Sequence, residues 1–206
     1  MFKKLMVFPH LTAGIQEVTM FGFIPNPLGN LAESFIDNVI RDTVRPVRGS
    51  VLYCDLAFGY MEHSGIYVGS GKSGKDENQE KCIVELQRQG NMCCVRRVTP
   101  TDFISAGTAI SIYVSCRGTH ARGRDKIAAT AESMIGQCLG EYSLLNNNCH
   151  MFTDYCLRCG DKKSCECYDF FDYVKHYANR EMTLTHLKQS ARKILGADTW
   201  RVWNRH

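Results

Sequence analysis

No stretch of the 206-residue chain reaches the about 18 consecutive apolar residues of a membrane-spanning helix, so none is expected. A basic cluster is missing too. The 25 Lys and Arg set against 21 Asp and Glu leave a formal charge of +4, scattered along the chain, which gives no footprint for nucleic acid and only a weak one for anionic lipid. The opening MFKKLMVFPHL has the basic pair of an export signal, but His10 and Thr12 interrupt its apolar run and no long apolar core follows. These absences predict a cytoplasmic protein, soluble or in peripheral contact with a membrane. A nucleotide site is not expected either. Gly69 to Lys75 reproduces a phosphate-binding loop up to its lysine, yet Asp76 stands where magnesium binding needs Ser or Thr, and no helix follows to supply amide donors.

The 44% hydrophobic content is enough to bury one substantial core, so one domain with appendages is the expectation. Eleven cysteines is a high and odd count. A secreted disulfide scaffold is shorter and even-numbered, which favours a reducing compartment and mostly free thiols. Cys156, Cys159, Cys165 and Cys167 form C-x-x-C followed by C-x-C. That spacing is not a zinc ribbon's, so no metal is assigned and free or redox-active thiols are expected.

Three regions follow from pattern. In residues 1–46, NLAESFIDNVIRD begins at Asn30 as a helix cap with Glu33 behind it and carries Leu31, Phe35, Ile36, Val39 and Ile40 on one face. Residues 47–160 open with strand-like segments, SVLYCDLAFGY, HSGIYVG, KCIVELQ, MCCVRRV and AISIYVSC, the last alternating as a half-buried strand. A polar, glycine-rich loop, SGKSGKDENQE, separates the second from the third. A helix from about Arg124 to Gln137 comes next, with Ile127, Ala128, Ala131, Met134 and Ile135 at helical spacing. Strands before helices predict an α+β domain, a small antiparallel sheet with helices on one side. Residues 161–206 read as two short amphipathic helices, the first with Phe170, Phe171, Val174 and Tyr177 on its apolar face; they are expected to pack on the domain, with docking on a bilayer as the alternative.

The segment LLNNNCHMFTDYC carries the chemistry. Asn is a favoured helix cap, so the asparagines end a loop and launch a helix with Met151, Phe152, Tyr155 and Cys156 on its apolar face. Cys149 is thereby placed at a helix N-terminus, where the dipole and the free amides favour thiolate and can hold an oxyanion. The other reading of Cys149 is a small buried residue. His63 lies in a strand, with Gly65 and Tyr67 on its side and Ser64, Ile66 and Val68 on the other.

AESMIGQCLGEYSLLNNNCHMFTDYCLRCG resembles the cysteine segment of the lecithin:retinol acyltransferase family, which includes the H-Ras-like-suppressor phospholipid acyltransferases. The matching positions are Gly136, Tyr142 to Leu144, Asn148, Cys149 and Phe152; HSGIYVGSG is similar to the family's histidine strand, and Gly49 stands where a Gly-Asp opens the first strand. The resemblance covers roughly residues 47 to 160 and implies the NlpC-type, circularly permuted papain-like fold, in which histidine precedes cysteine. Three positions depart from the family pattern: Ser64 replaces the aromatic residue after the histidine, Ser50 an Asp, and His150 the Glu after the cysteine. The acyltransferases carry a second histidine on the next strand, and Glu85 stands in that place; a carboxylate there can fix the tautomer of His63 and stabilise its protonated form.

The resemblance implies a thiol enzyme with Cys149, His63 and Glu85 as catalytic residues and no cofactor. It would act through an acyl-cysteine intermediate on lipid or other acyl esters, possible partners being a phospholipid and a membrane surface but not nucleic acid. A cysteine peptidase or amidase of the same fold, and a non-catalytic binding module, are the alternatives.

Overall fold

A computed structural model of the chain describes residues 43–56, 61–69, 80–105, 111–141, 143, 147–161, 169–177 and 181–205. The helix expected from Asn30, most of the loop with the P-loop-like run, Cys165 and Cys167 lie outside them. The described chain is α+β. Strands β1 (Val51–Leu56), β2 (Met61–Tyr67), β3 (Ile83–Gln89) and β4 (Met92–Val98) form an antiparallel meander, followed by a short helix α1 (Pro100–Ser105). Then come β5 (Tyr113–Arg117), β6 (His120–Ala121), helix α2 (Asp125–Ser133), β7 (Cys138–Glu141) and helix α3 (Cys149–Gly160). The chain closes with helices α4 (Phe170–His176) and α5 (Leu184–Leu195) and strand β8 (Thr199–Val202).

One antiparallel sheet runs β6-β5-β1-β2-β3-β4-β7, with β8 added along β5. Period-two alternation sends successive side chains to opposite faces, and both faces are covered. Val51, Ile66, Val84, Leu86 and Val95 pack against Ile127, Met151, Phe152, Tyr173, Leu187 and Ile194, the apolar sides of α2 to α5. Leu52, Cys54, Ile83 and Val114 face the other way, onto Phe103 of α1 and Trp203. Four helices therefore lie on one side as the element order predicts, and α1, which sequence pattern does not place, covers the second face.

Other local expectations change for identifiable reasons. The segment around Tyr113 is not half-buried. Ser111 and Ser115 on its polar side are as enclosed as Ile112 and Val114, because packed side chains cover both faces of the sheet. Ser115 Oγ accepts from Val51 N at 3.0 Å and donates to Arg122 O at 2.8 Å, so its hydroxyl is satisfied without water. Helix α2 stops at Ser133 rather than Gln137: Gly136 turns at φ +86°, its N–H reaches Val95 O at 2.9 Å, and the chain joins the edge of β4 as β7. Phe171 does not share the buried face of α4. It is 51% exposed, whereas Phe170 and Tyr173 are buried, at the i, i+3 spacing that aligns on one side of a helix. The last segment is also not purely helical, since β8 extends the sheet.

The cysteines divide. Cys54, Cys82, Cys93, Cys116, Cys149 and Cys156 are buried free thiols, but Cys94 and Cys138 are joined across β4 and β7, and Cys159 is also disulfide-bonded. For these three the expectation of free thiols is corrected. Strand pairing brings Cys94 and Cys138 opposite each other, and sequence spacing alone contains no such information.

Candidate active site

Cys149 is the first residue of α3. Asn148 caps the helix, its side chain accepting from Met151 N at 2.9 Å while its amide donates to Met182 O at 3.1 Å. Asn147 donates to Leu139 O and Glu141 O, both at 2.8 Å, and so fixes the approach from β7. The two asparagines thus hold the start of the helix from both sides, one through β7 and one through the segment before α5. The thiol is 3% exposed and lies 3.9 Å from Glu62 O on β2.

His63 stands in the middle of β2 with its ring tilted against Phe103, centroids 4.9 Å apart. Its Nε2 meets Glu85 Oε2 at 2.7 Å. The register explains the contact. Gly65 pairs with Glu85, so the carboxylate lies one same-face step from His63 on the neighbouring strand. Gly65 itself is required by close approach: a Cβ there would lie 2.8 Å from Val84 O and 3.1 Å from the Phe103 ring that packs on the histidine. Glu85 is 2% exposed, and its other oxygen lies 4.0 Å from Arg96 Nη2.

The electrostatics couple the histidine to the thiol. Burial by itself would push the His63 pKa down, but the charge of Cys149, a side-chain hydrogen bond with it, and Glu85 together raise it to about 10. Burial likewise opposes ionisation of Cys149, and the His63 charge and hydrogen bond outweigh it, so the thiol is held below its ordinary value. Ser64 adds to this, through its backbone N–H and its hydroxyl. With Nε2 taken by Glu85, Nδ1 is the ring nitrogen left for sulfur. The arrangement favours thiolate beside imidazolium, a pair whose titration is shared rather than separable.

All three residues singled out in the sequence therefore come together. Reasoning along the chain did not anticipate a second cluster behind them. Ser64 Oγ lies 2.9 Å from His150 Nδ1 and 3.1 Å from Thr153 Oγ1, and Thr153 donates to Cys149 O at 2.8 Å. The available signal was that Ser64 and His150 both depart from the family pattern. Burial, with the nearby His63 charge, brings the His150 pKa down to about 4, so this imidazole is neutral at physiological pH.

A histidine strand preceding a cysteine helix, across an antiparallel sheet, is the permuted form of the papain-like fold. Within that class the assignment is direct: the chain belongs to the lecithin retinol acyltransferase family, whose model matches residues 44–163, more than half its length. No curated protein and no solved structure matches it.

Proposed function

We propose that the chain is a cysteine-dependent acyltransferase or hydrolase that works through an acyl-cysteine intermediate on lipid or other acyl esters. Family membership supports acyl-transfer chemistry in general, and one observation carries the reading to residues: the His63 ring is held by Glu85 at 2.7 Å while interacting with the Cys149 thiol. Sγ gives its proton to His63 and adds to the ester carbonyl. Amides at the start of α3 other than that of Met151, which Asn148 caps, would donate to the resulting oxyanion. Collapse breaks the ester C–O bond, and His63 returns the proton to the departing alkoxide, leaving a thioester on Cys149. His63 then deprotonates the acceptor, which regenerates the thiol by the same steps in reverse. Water as acceptor gives hydrolysis; an alcohol or amine gives transfer. Glu85 keeps the ring oriented and its protonated form stable.

No helix among the described residues is long and apolar enough to cross a membrane. Incubation with short-chain phosphatidylcholine followed by peptide mass mapping tests the proposal. An acyl mass addition on Cys149, lost in the His63→Ala variant, is expected. Acylation of Cys149 by a peptide or amide substrate analogue, and not by the lipid, would favour the peptidase or amidase reading. If Cys149 reacts with iodoacetamide no faster than an ordinary thiol and traps no acyl group, the enzyme reading fails and a binding module stands.

A further inference from the structure

We propose that Arg96 is a positioning residue of the site, holding the second oxygen of Glu85 from β4 so that the carboxylate keeps a counter-charge and its alignment when His63 gives up its proton. The inference rests on the thiol-enzyme reading above and adds a fourth side chain to Cys149, His63 and Glu85.

Strand register puts three side chains in a row. Gly65 pairs with Glu85, and Glu85 pairs directly with Arg96, so His63, Glu85 and Arg96 stand on one face of three consecutive strands. Glu85 Oε2 meets His63 Nε2 at 2.7 Å, and Oε1 lies 4.0 Å from Arg96 Nη2. The neighbouring arginine behaves differently. Arg97 turns to the opposite face and gives Nε to Lys81 O and Nη2 to Gly69 O, both at 2.8 Å, whereas Arg96 Nε is buried with no hydrogen-bond partner among the described residues. An arginine that served only as a solvated surface charge would leave no donor buried and unpaired. The reaction gives the carboxylate a need for two cations. While His63 is protonated it neutralises Glu85, but once its proton goes to the departing alkoxide, a carboxylate only 2% exposed is left behind. A buried charge without a partner is costly, and Arg96 supplies the remaining counter-charge. Proton donation by His63 is thereby eased, and no bond to Arg96 forms or breaks.

Among the described residues, His63 and Arg96 are the two cationic groups within 4.0 Å of Glu85. Helix α3 brings Cys149 and His150, the latter neutral at physiological pH; β1 brings Cys54, kept protonated by burial, and Arg205 stands beside Cys54. Asp102 of α1 accepts from Thr99 N at 3.4 Å, and the paired Asp55 and Glu62 turn to the other face of β1 and β2.

The test is a pH titration of the His63 imidazole by NMR in the full chain, in Arg96→Gln, Arg96→Lys and Glu85→Gln, and in the Glu85→Gln/Arg96→Gln double variant, with folding checked by circular dichroism. In the wild type the ring should titrate at about 10. Without Arg96, loss of the His63 proton leaves Glu85 with no counter-charge, so Arg96→Gln should move the midpoint upward by about one unit, the low end for so close a charge because the arginine is partly exposed. Arg96→Lys, which keeps the charge, should stay within about a third of a unit of wild type. Glu85→Gln should move the midpoint downward, and adding Arg96→Gln to it should change little, because Arg96 acts through the carboxylate. A merely structural arginine would lower the melting temperature and leave the midpoint in place. A midpoint unmoved or lowered in Arg96→Gln overturns the proposal alone, as does a full unit of upward movement when Arg96→Gln is added to Glu85→Gln. That second comparison decides if Arg96→Gln does not fold. A wild-type ring that titrates at an ordinary 6.5 overturns the thiol-enzyme reading beneath it.

Discussion

Two buried polar clusters share helix α3. At its start, Cys149 meets His63, and His63 meets Glu85; further along, Asp154 is fully buried and receives Arg158 Nε at 2.8 Å together with the Tyr173 hydroxyl, while Arg158 Nη2 reaches Ser190 at 2.8 Å. Both clusters perturb their members: burial and Asp154 push Tyr173 well above the usual phenol range, while Cys149 and Glu85 raise His63 against its burial. What separates them is a thiol whose ionised form is favoured, the nucleophile of the proposed reaction. Asp154, Arg158, Tyr173 and Ser190 bind α3, α4 and α5 together and contain no group that could attack a carbonyl at neutral pH. Shifted ionisation marks a demanding environment, and the chemistry of the groups decides whether it is a site or a clasp.

The largest contrast should come from removing the proposed nucleophile. Cys149→Ala is expected to lower turnover to background, a loss on the order of 10⁴-fold or more, with the melting temperature nearly unchanged because little packing volume is removed. Asp154→Ala should do the reverse. Removing the buried carboxylate from the partly buried Arg158 and the Tyr173 hydroxyl is expected to destabilise the fold by about 2–3 kcal/mol in urea titration, while the alkylation rate of Cys149 per folded molecule stays near wild type. A variant at Asp154 that folds normally yet loses Cys149 reactivity would erase the distinction.

Acid sharpens it further. The folded His150 has a pKa of about 4 against an ordinary 6.5, so the unfolded chain binds the proton first. The stabilisation is fully present above pH 6.5 and is lost as pH falls toward 4, a decrease of about 3 kcal/mol attributable to this residue. Denaturant midpoints measured between pH 7 and 4 should fall for the wild type and less steeply for His150→Asn. The smallest effect should appear at Glu85. Because Glu85 helps raise His63 to about 10, Glu85→Gln should move the alkaline limb of the pH–rate profile downward and slow turnover roughly tenfold, without altering the fold. An unmoved alkaline limb would remove Glu85 from the site.

Parts of this site were legible because their physics is local. Asn148 followed by Cys149 and an apolar helical period places a thiol at a capped helix start, and Asn148 does cap it. Strand alternation likewise puts His63 and Gly65 on one side, which is enough to look for a partner on the next strand. The limits are equally specific. Phe171 reads as core because it is aromatic, yet its position around the helix turns it to solvent. Ser111 and Ser115 read as a wet face because they are polar, yet the layers packed on both faces of the sheet enclose them.

The sequence by itself determined the setting of the Cys149 thiol, the order of histidine before cysteine, and the antiparallel α+β class, since capping, alternation and helical period act over a few residues. The tertiary structure alone decided which distant groups meet. Ser64 and His150, Cys94 and Cys138, and Asn148 and Met182 become neighbours only when the sheet has set its register and the helices have packed on it. A hydrogen bond or a disulfide depends on position within tenths of an ångström, and that precision comes from the packing of the whole core rather than from the identity of any one segment.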